Sequence, residues 1–119
     1  MSQGDQAQGS GLIDYAEFSK IDLRVGKVIS AEPVPNSRKL IKLTVDLGSE
    51  QRQILAGLLR WYKPEDLVGK YIIVVANLKP KQMAGLTSQG MLLAAPCSDS
   101  EKPIVLTVAE PVQPGSRIC

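Results

Sequence analysis

Ile41, Leu43, Val45 and Leu47 are apolar while Lys42, Thr44 and Asp46 between them are polar. This period-two alternation predicts a strand with one face in a core and the other in water. Gly48 to Gln51 reads as a turn, and Arg52 to Ala56 as the returning strand of a hairpin. The stretch KYIIVVANL, residues 70–78, is apolar at successive positions, as a strand buried on both sides would be. Met91 to Ala95 predicts a further strand. Ile104 to Val108 and the stretch after it predict one or two short β pieces, with Pro114-Gly115 as a turn.

Other segments follow different patterns. Ile13 to Ile21 offers an N-cap in Asp14, a capping-box partner in Glu17 and apolar Ile13, Phe18 and Ile21 at roughly helical spacing, which predicts one or two helical turns. Leu23 and Val25 share a face, but Val28 falls out of register after Gly26, so a bulge is expected at Gly26. Pro33, Pro35 and Asn36 mark a loop, Leu58 to Leu67 reads as short helical turns, and residues 79–90 read as loop. Together these predict an all-β fold: a five-stranded oligonucleotide-binding barrel with a short linker helix, an N-terminal helical turn and a C-terminal β extension. Residues 1–12, rich in Gln, Gly and Ser, read as a tail or linker, and 13–119 as the one domain, with the extension over about 97–119.

Composition narrows the chemistry. A chain of 119 residues has room for one small domain, which buries roughly two thirds of its unfolded surface. There is no His, so a triad with a His base is impossible. Two cysteines, Cys97 and Cys119, without imidazole do not make up the usual four ligands of a structural zinc site, and they fit free thiols in a cytoplasmic protein. The longest apolar run, Tyr71 to Ala76, is far short of the ~20 residues of a membrane span. Phosphate-loop patterns fail, because Gly69-Lys70 is followed by Tyr71, and no GxGxxG occurs. Glu65-Asp66 after Pro64 suits the first turn of a helix rather than paired-carboxylate catalysis. Neither an enzymatic activity nor a cofactor or metal is expected.

Net charge is only +2, yet it is unevenly placed. Lys20 to Lys81 carries twelve basic and six acidic residues, and the flanks two basic and six acidic. Such segregation is the electrostatic footprint of a polyanion-binding surface, or simply a solvated face.

One ordered block goes further. The run ANLKPKQMAGLTSQGMLLAA, residues 76–95, together with IDLRVGKVISAEPV near the start and LAGLLRWYKPEDLVGK between them, resembles the tRNA-binding domain found at the carboxyl end of many bacterial methionyl-tRNA synthetases. The same domain occurs as free-standing tRNA-binding proteins and in the endothelial monocyte-activating polypeptide group. The resemblance runs from about Ile13 to the end. It implies a barrel that holds tRNA without chemistry, as a homodimer formed through the C-terminal extension, in the company of an aminoacyl-tRNA synthetase. It places the binding role on Asn77, Lys79, Ser88 and Met91, with basic residues after the first proline at Arg38, Lys39 and Lys42. Gln82 and Ala84 stand where many relatives are basic, whereas Lys81 is basic where relatives often have a small residue, and it joins the expected site.

The physical reading agrees. Lys and Arg on one face neutralise phosphates and give salt-dependent affinity that is nearly independent of sequence. Asn77 and Ser88 offer hydrogen bonds to sugar, phosphate or a base edge. Met91 is either an apolar contact or core. Trp61 and Tyr62 read as packing residues, so stacking of successive bases is not the expected mode. Arg24 and Lys27 fit an interface or a solvated face equally. Two other readings stay open: a secretion chaperone of the same fold binding extended polypeptide, and a subunit that only dimerises a synthetase. The extension IVLTV either joins two copies or covers one end of its own barrel.

Overall fold

The computed structural model describes residues 11–119. Most of the expected linker over 1–12 therefore lies outside the described residues. Helix α1 spans Tyr15–Phe18, and the strands of the main sheet are β1 (Leu23–Pro33), β2 (Ile41–Asp46), β3 (Gln51–Ala56), β4 (Tyr71–Val75) and β7 (Met91–Leu92). Helix α2 (Pro64–Leu67) links β3 to β4; the strands β5 (Lys81–Met83) and β6 (Leu86–Ser88) form a hairpin, and β8 (Ala94–Ala95) pairs with β9 (Ile104–Val105). The main sheet runs β3-β2-β1-β4-β7, all antiparallel. Expected all-β architecture and the linker helix are both present.

The alternating pattern decides the core. Ile41, Leu43 and Val45 on β2 point inward beside Ile54 of β3 and Ile72 and Val74 of β4, and all are essentially inaccessible to solvent. Strand β1 is long enough to turn a corner: its first half pairs with β4 and its second with β2, and Lys27 faces both Asp46 and Tyr71. The register slips between Val28 and Ser30 rather than at Gly26, so the expected bulge sits three residues further on. Gly26 is needed for another reason. A Cβ there would lie 2.5 Å from Val45 Cγ1 and 3.3 Å from Val74 Cγ2, so glycine leaves room on β1 for the core side chains of its two flanking strands.

Two further differences are physical. Residues 79–90, expected as loop, contain the β5–β6 hairpin, whose turn residues Ala84 and Gly85 both have positive φ. That is the two-residue hairpin geometry, but Ala is a poor signal for it where Asn or Gly would announce it. Residues 91–95 split: Met91 and Leu92 pair with β4, and Ala94 and Ala95 leave the sheet to pair with β9. At the other end, the Gly115 N–H donates to Val25 O, the Val25 N–H donates to Ser116 O and the Ile118 N–H donates to Leu23 O, so the C-terminal residues cover the edge of β1.

The N-terminal helix is a single turn, within the one or two expected, and the Asp14 N–H donates to Glu17 Oε1 at 3.4 Å. Its apolar residues Ile13, Tyr15, Phe18 and Ile21 do not enter the core and remain exposed.

Candidate nucleic-acid interface

The sheet order leaves β3 and β7 as its edges, and the barrel is closed by side chains instead of a ladder. Ser88 Oγ accepts the Leu55 N–H at 3.0 Å and donates to Gly90 O at 3.0 Å. Gln89 completes the seam: its N–H donates to Gln53 O at 2.8 Å and its Oε1 accepts the Gln53 N–H at 3.0 Å. Gly90 follows with φ +151°, where a Cβ would lie 3.2 Å from Val75 O. Ser88, expected to face tRNA, is buried at 4% exposure with its hydroxyl used in both directions inside the chain.

Asn77 is occupied in the same manner. Its Oδ1 accepts the Asp22 N–H at 2.8 Å and its Nδ2 donates to Lys20 O at 2.6 Å, which ties the entry to β1 to the end of β4. The residue is exposed, and each end of the amide makes one of these bonds. Ser88 is thus buried beneath the surface with its hydroxyl engaged inside the chain, whereas Asn77 is exposed and keeps one N–H of its amide for a ligand.

What the closure builds is a groove. The hairpin folds over the outer face of β3 and leaves a cavity of about 450 Å³ lined by Leu55, Leu78, Lys79, Lys81, Met83, Ser88, Gly90 and Met91. Its volume falls within the few-hundred Å³ range of ligand clefts. Leu55, Leu78, Met83 and Met91 make it apolar, two lysines stand on it, and no carboxylate lines it. Met91 is 47% exposed here, so it belongs to the groove and not to the core. Lys79, Lys81, Ser88 and Met91, four residues that the sequence assigned, are therefore brought together, although Ser88 acts from beneath.

The remaining basic residues lie next to this groove. Lys42 is opposite Leu55 across the β2–β3 ladder, on the outer face, and forms an ion pair with Glu32 at 3.2 Å. Lys39 and Arg38 stand exposed on the loop before β2, where Ser37 Oγ accepts the N–H groups of Lys39 and Leu40. Among the described residues the cations fall into two groups. Arg24, Lys42, Arg52 and Arg117 are in ion pairs, whereas the other ten, Arg38, Lys39, Arg60, Lys79 and Lys81 among them, are in none.

Arg52 illustrates the first group. It bridges Glu50 at 2.9 Å and donates to the carbonyls of Ala76 and Gln89, locking the end of β3 to β4 and to the closing segment. Its hydrogen bond, and then its charge, hold the Glu50 carboxyl below the ordinary carboxylate range, and the same bond raises Arg52. Arg24 is likewise occupied by Asp22 and by Gly115 O. Its interface reading gives way to a structural one.

Sequence reasoning missed Leu55, Leu78 and Met83. A signal existed for Leu55, because Ile54, Leu55 and Ala56 are apolar in succession on a strand that should alternate, so one of them had to be covered on the outer face. Trp61 and Tyr62 were both expected to pack. Tyr62 does, with its hydroxyl donating to Pro103 O at 2.7 Å, but Trp61 is outside the core cluster and lies half-buried beneath Arg60. No group of His, Cys, Asp and Glu suited to a metal is found among the described residues. Among the described residues no helix is long and apolar enough to cross a membrane.

Comparison with known proteins points to one family. Residues 23–117 match the family model described as a putative tRNA binding domain. The chain is 56% identical over 106 residues to the methionine--tRNA ligase of Thermotoga maritima and 52% identical over 106 to that of Methanocaldococcus jannaschii, covering 89% of this chain and 16% of each relative. It thus spans about a sixth of the curated relatives it matches. Among solved structures, a MetRS related protein from Pyrococcus horikoshii superposes with a TM-score of 0.85 at 43% identity, covering 92% of this chain and all of that one. The chaperone CsaA from Bacillus anthracis does so with a TM-score of 0.82 at 30% identity, again over 92% of this chain and all of that one. With a family model matched over most of its length and a barrel shared with these structures, the chain belongs to the tRNA-binding domain family.

Proposed function

We propose that this domain captures tRNA without chemistry, on behalf of a methionyl-tRNA synthetase, and that residues 13–119 are the working unit in the cytoplasm. The carrying observation is the groove between β3 and the hairpin, with two unpaired lysines, an apolar floor and no carboxylate in its lining. Lys79 and Lys81 hold phosphates there, and Arg38 and Lys39 extend the positive field along the start of β2. Such contacts neutralise backbone charge and release counterions, so affinity is general and shape selects the RNA. Tethered to an enzyme, a weak tRNA binder raises the effective concentration of substrate while the enzyme keeps the choice of tRNA.

The module acts as a homodimer in this reading. Tyr15, Phe18 and Ile21 gather with Ile118 and Cys119 around a surface cavity of about 460 Å³, and Ile13 is exposed beside them. An apolar patch of this kind is what a second copy covers. Exposed Ile104 and Leu106 in the C-terminal extension widen the surface available.

A second reading has one observation in its favour: the groove floor is apolar, and the CsaA chaperones share the fold. Polypeptide in the groove would use Leu55, Leu78, Met83 and Met91 and be indifferent to the lysines. Competition separates the two. Total tRNA should bind on its own, should resist displacement by an unfolded peptide, and should lose affinity in Lys79→Ala. Peptide binding without tRNA binding would overturn the tRNA reading.

A further inference from the structure

A second cavity, of about 420 Å³, lies past the end of β3 and is lined by Lys39, Gly57, Arg60, Trp61, Ser98, Asp99 and Pro103. We propose that it is a nucleotide subsite: an unpaired nucleotide of the bound tRNA places its base against the Arg60–Trp61 pair and its phosphate on Lys39 and Arg60. The inference rests on the tRNA reading above and adds to it a contact outside the groove.

Three observations carry it. The first is the chemistry of the walls. The Arg60 guanidinium lies 5.4 Å from the centre of the Trp61 ring, and neither Arg60 nor Lys39 is in an ion pair. A planar cation layered on an indole is a surface on which unpaired bases stack, and the cations suit the phosphate attached to them. The one carboxylate present, Asp99, leaves the two cations in excess.

The second is Gly57. Its φ is not in the left-handed region, and a Cβ built on it meets no atom within 4 Å. Nothing in the turn or the packing therefore requires glycine. What a side chain at 57 would do is fill the cavity, and close approach of a ligand to the backbone is a reason for glycine that the fold itself does not supply.

The third is continuity. Leu55 lines the groove and Gly57 lines the second cavity, two residues further on, about 7 Å along the chain. The Leu59 N–H donates to Lys39 O at 3.0 Å, so the cationic loop before β2 is fixed to the segment carrying Arg60 and Trp61. One strand of RNA can cross from the lysines of the hairpin to Lys39 and Arg60 without leaving the surface of β3.

The test uses the full chain and total tRNA. Trp61 is the only tryptophan, so its emission reports on this cavity alone. Saturating tRNA should change that emission. Arg60→Ala, at an exposed position, should weaken binding about tenfold, in the range lost with one base stack, and lower the salt slope by about one. Gly57→Leu should weaken binding similarly while the unfolding midpoint stays the same or rises, because the unfolded chain loses freedom and the site has space. Unchanged emission at saturation, or both variants binding as the parent does, overturns the subsite; if Lys79→Ala still weakens binding, the tRNA reading stands without it. An absence of tRNA binding overturns both, and a change in Trp61 emission produced by unfolded peptide and not by tRNA overturns the subsite.

Discussion

Ser88 Oγ accepts the Leu55 N–H at 3.0 Å across the gap between β3 and β7, where no strand ladder runs. The same hydroxyl donates to Gly90 O, so with Gln89 beside it this side chain joins β3 to the segment leading into β7. Removing it leaves a buried N–H with no acceptor, a loss of about 1–3 kcal/mol. Ser88→Ala should therefore lower the unfolding free energy by that amount, as read by urea denaturation. Below its midpoint, the variant should keep most of its affinity for tRNA. A stable variant with lost affinity would return Ser88 to the RNA surface.

Lys79 and Lys81 stand on the groove without acidic partners, whereas Lys42 is tied to Glu32 at 3.2 Å. Replacing either free lysine by Ala should reduce the slope of log affinity against log salt by about one. Lys42→Ala should change it less, since Glu32 already offsets that charge. Equal effects at all three positions would show that the ion pair opens when RNA binds.

Exposed Phe18 and Ile21 share a surface cavity with Ile118. Phe18→Glu and Ile21→Glu place charge in the proposed contact between copies without touching the core. Sedimentation should find the parent dimeric and both variants monomeric with unchanged circular dichroism. A monomeric parent would contradict the homodimer.

Glu50 is held below the ordinary carboxylate range by the hydrogen bond from Arg52 and by its charge. A folded-state value lower than the unfolded one stabilises the fold where the group is ionised in both states, above the ordinary range, and the contribution fades as pH falls through that range. Glu50→Gln should thus be less stable than the parent near neutrality, and the gap should shrink toward acid pH. Because Glu50 is at the surface, the effect is small. Denaturation at pH 7 and pH 3 checks the sign.

The hydrophobic pattern carried the strands that build the core: alternation on β2 follows from its one inward face, whereas β4, expected to be buried on both sides, has Ile72, Val74 and Val75 buried but Tyr71 and Ile73 only half-buried. It could not carry the hairpin, since Ala84 occupies a positive-φ turn position that Ala rarely signals. The candidate site was legible in part. Lys79, Lys81 and Met91 meet at the groove as the ordered block 76–95 implied. Asn77 and Ser88 sit in the same block and make hydrogen bonds that hold the fold, which spacing alone does not reveal, because barrel closure uses the same polar residue types as ligand contact. Trp61 was misread because its neighbour Tyr62 does pack, and sequence spacing does not separate adjacent aromatics on a turn.

The central claim is tested most directly by the affinity of the full chain for total tRNA across a salt series, with matched duplex DNA and an unfolded peptide as competitors. Binding that falls linearly in log affinity with log salt, resists both competitors and loses slope in the Lys79→Ala, Lys81→Ala pair is the predicted result. Absence of tRNA binding, or binding displaced equally by the peptide and unchanged in the lysine pair, would contradict it.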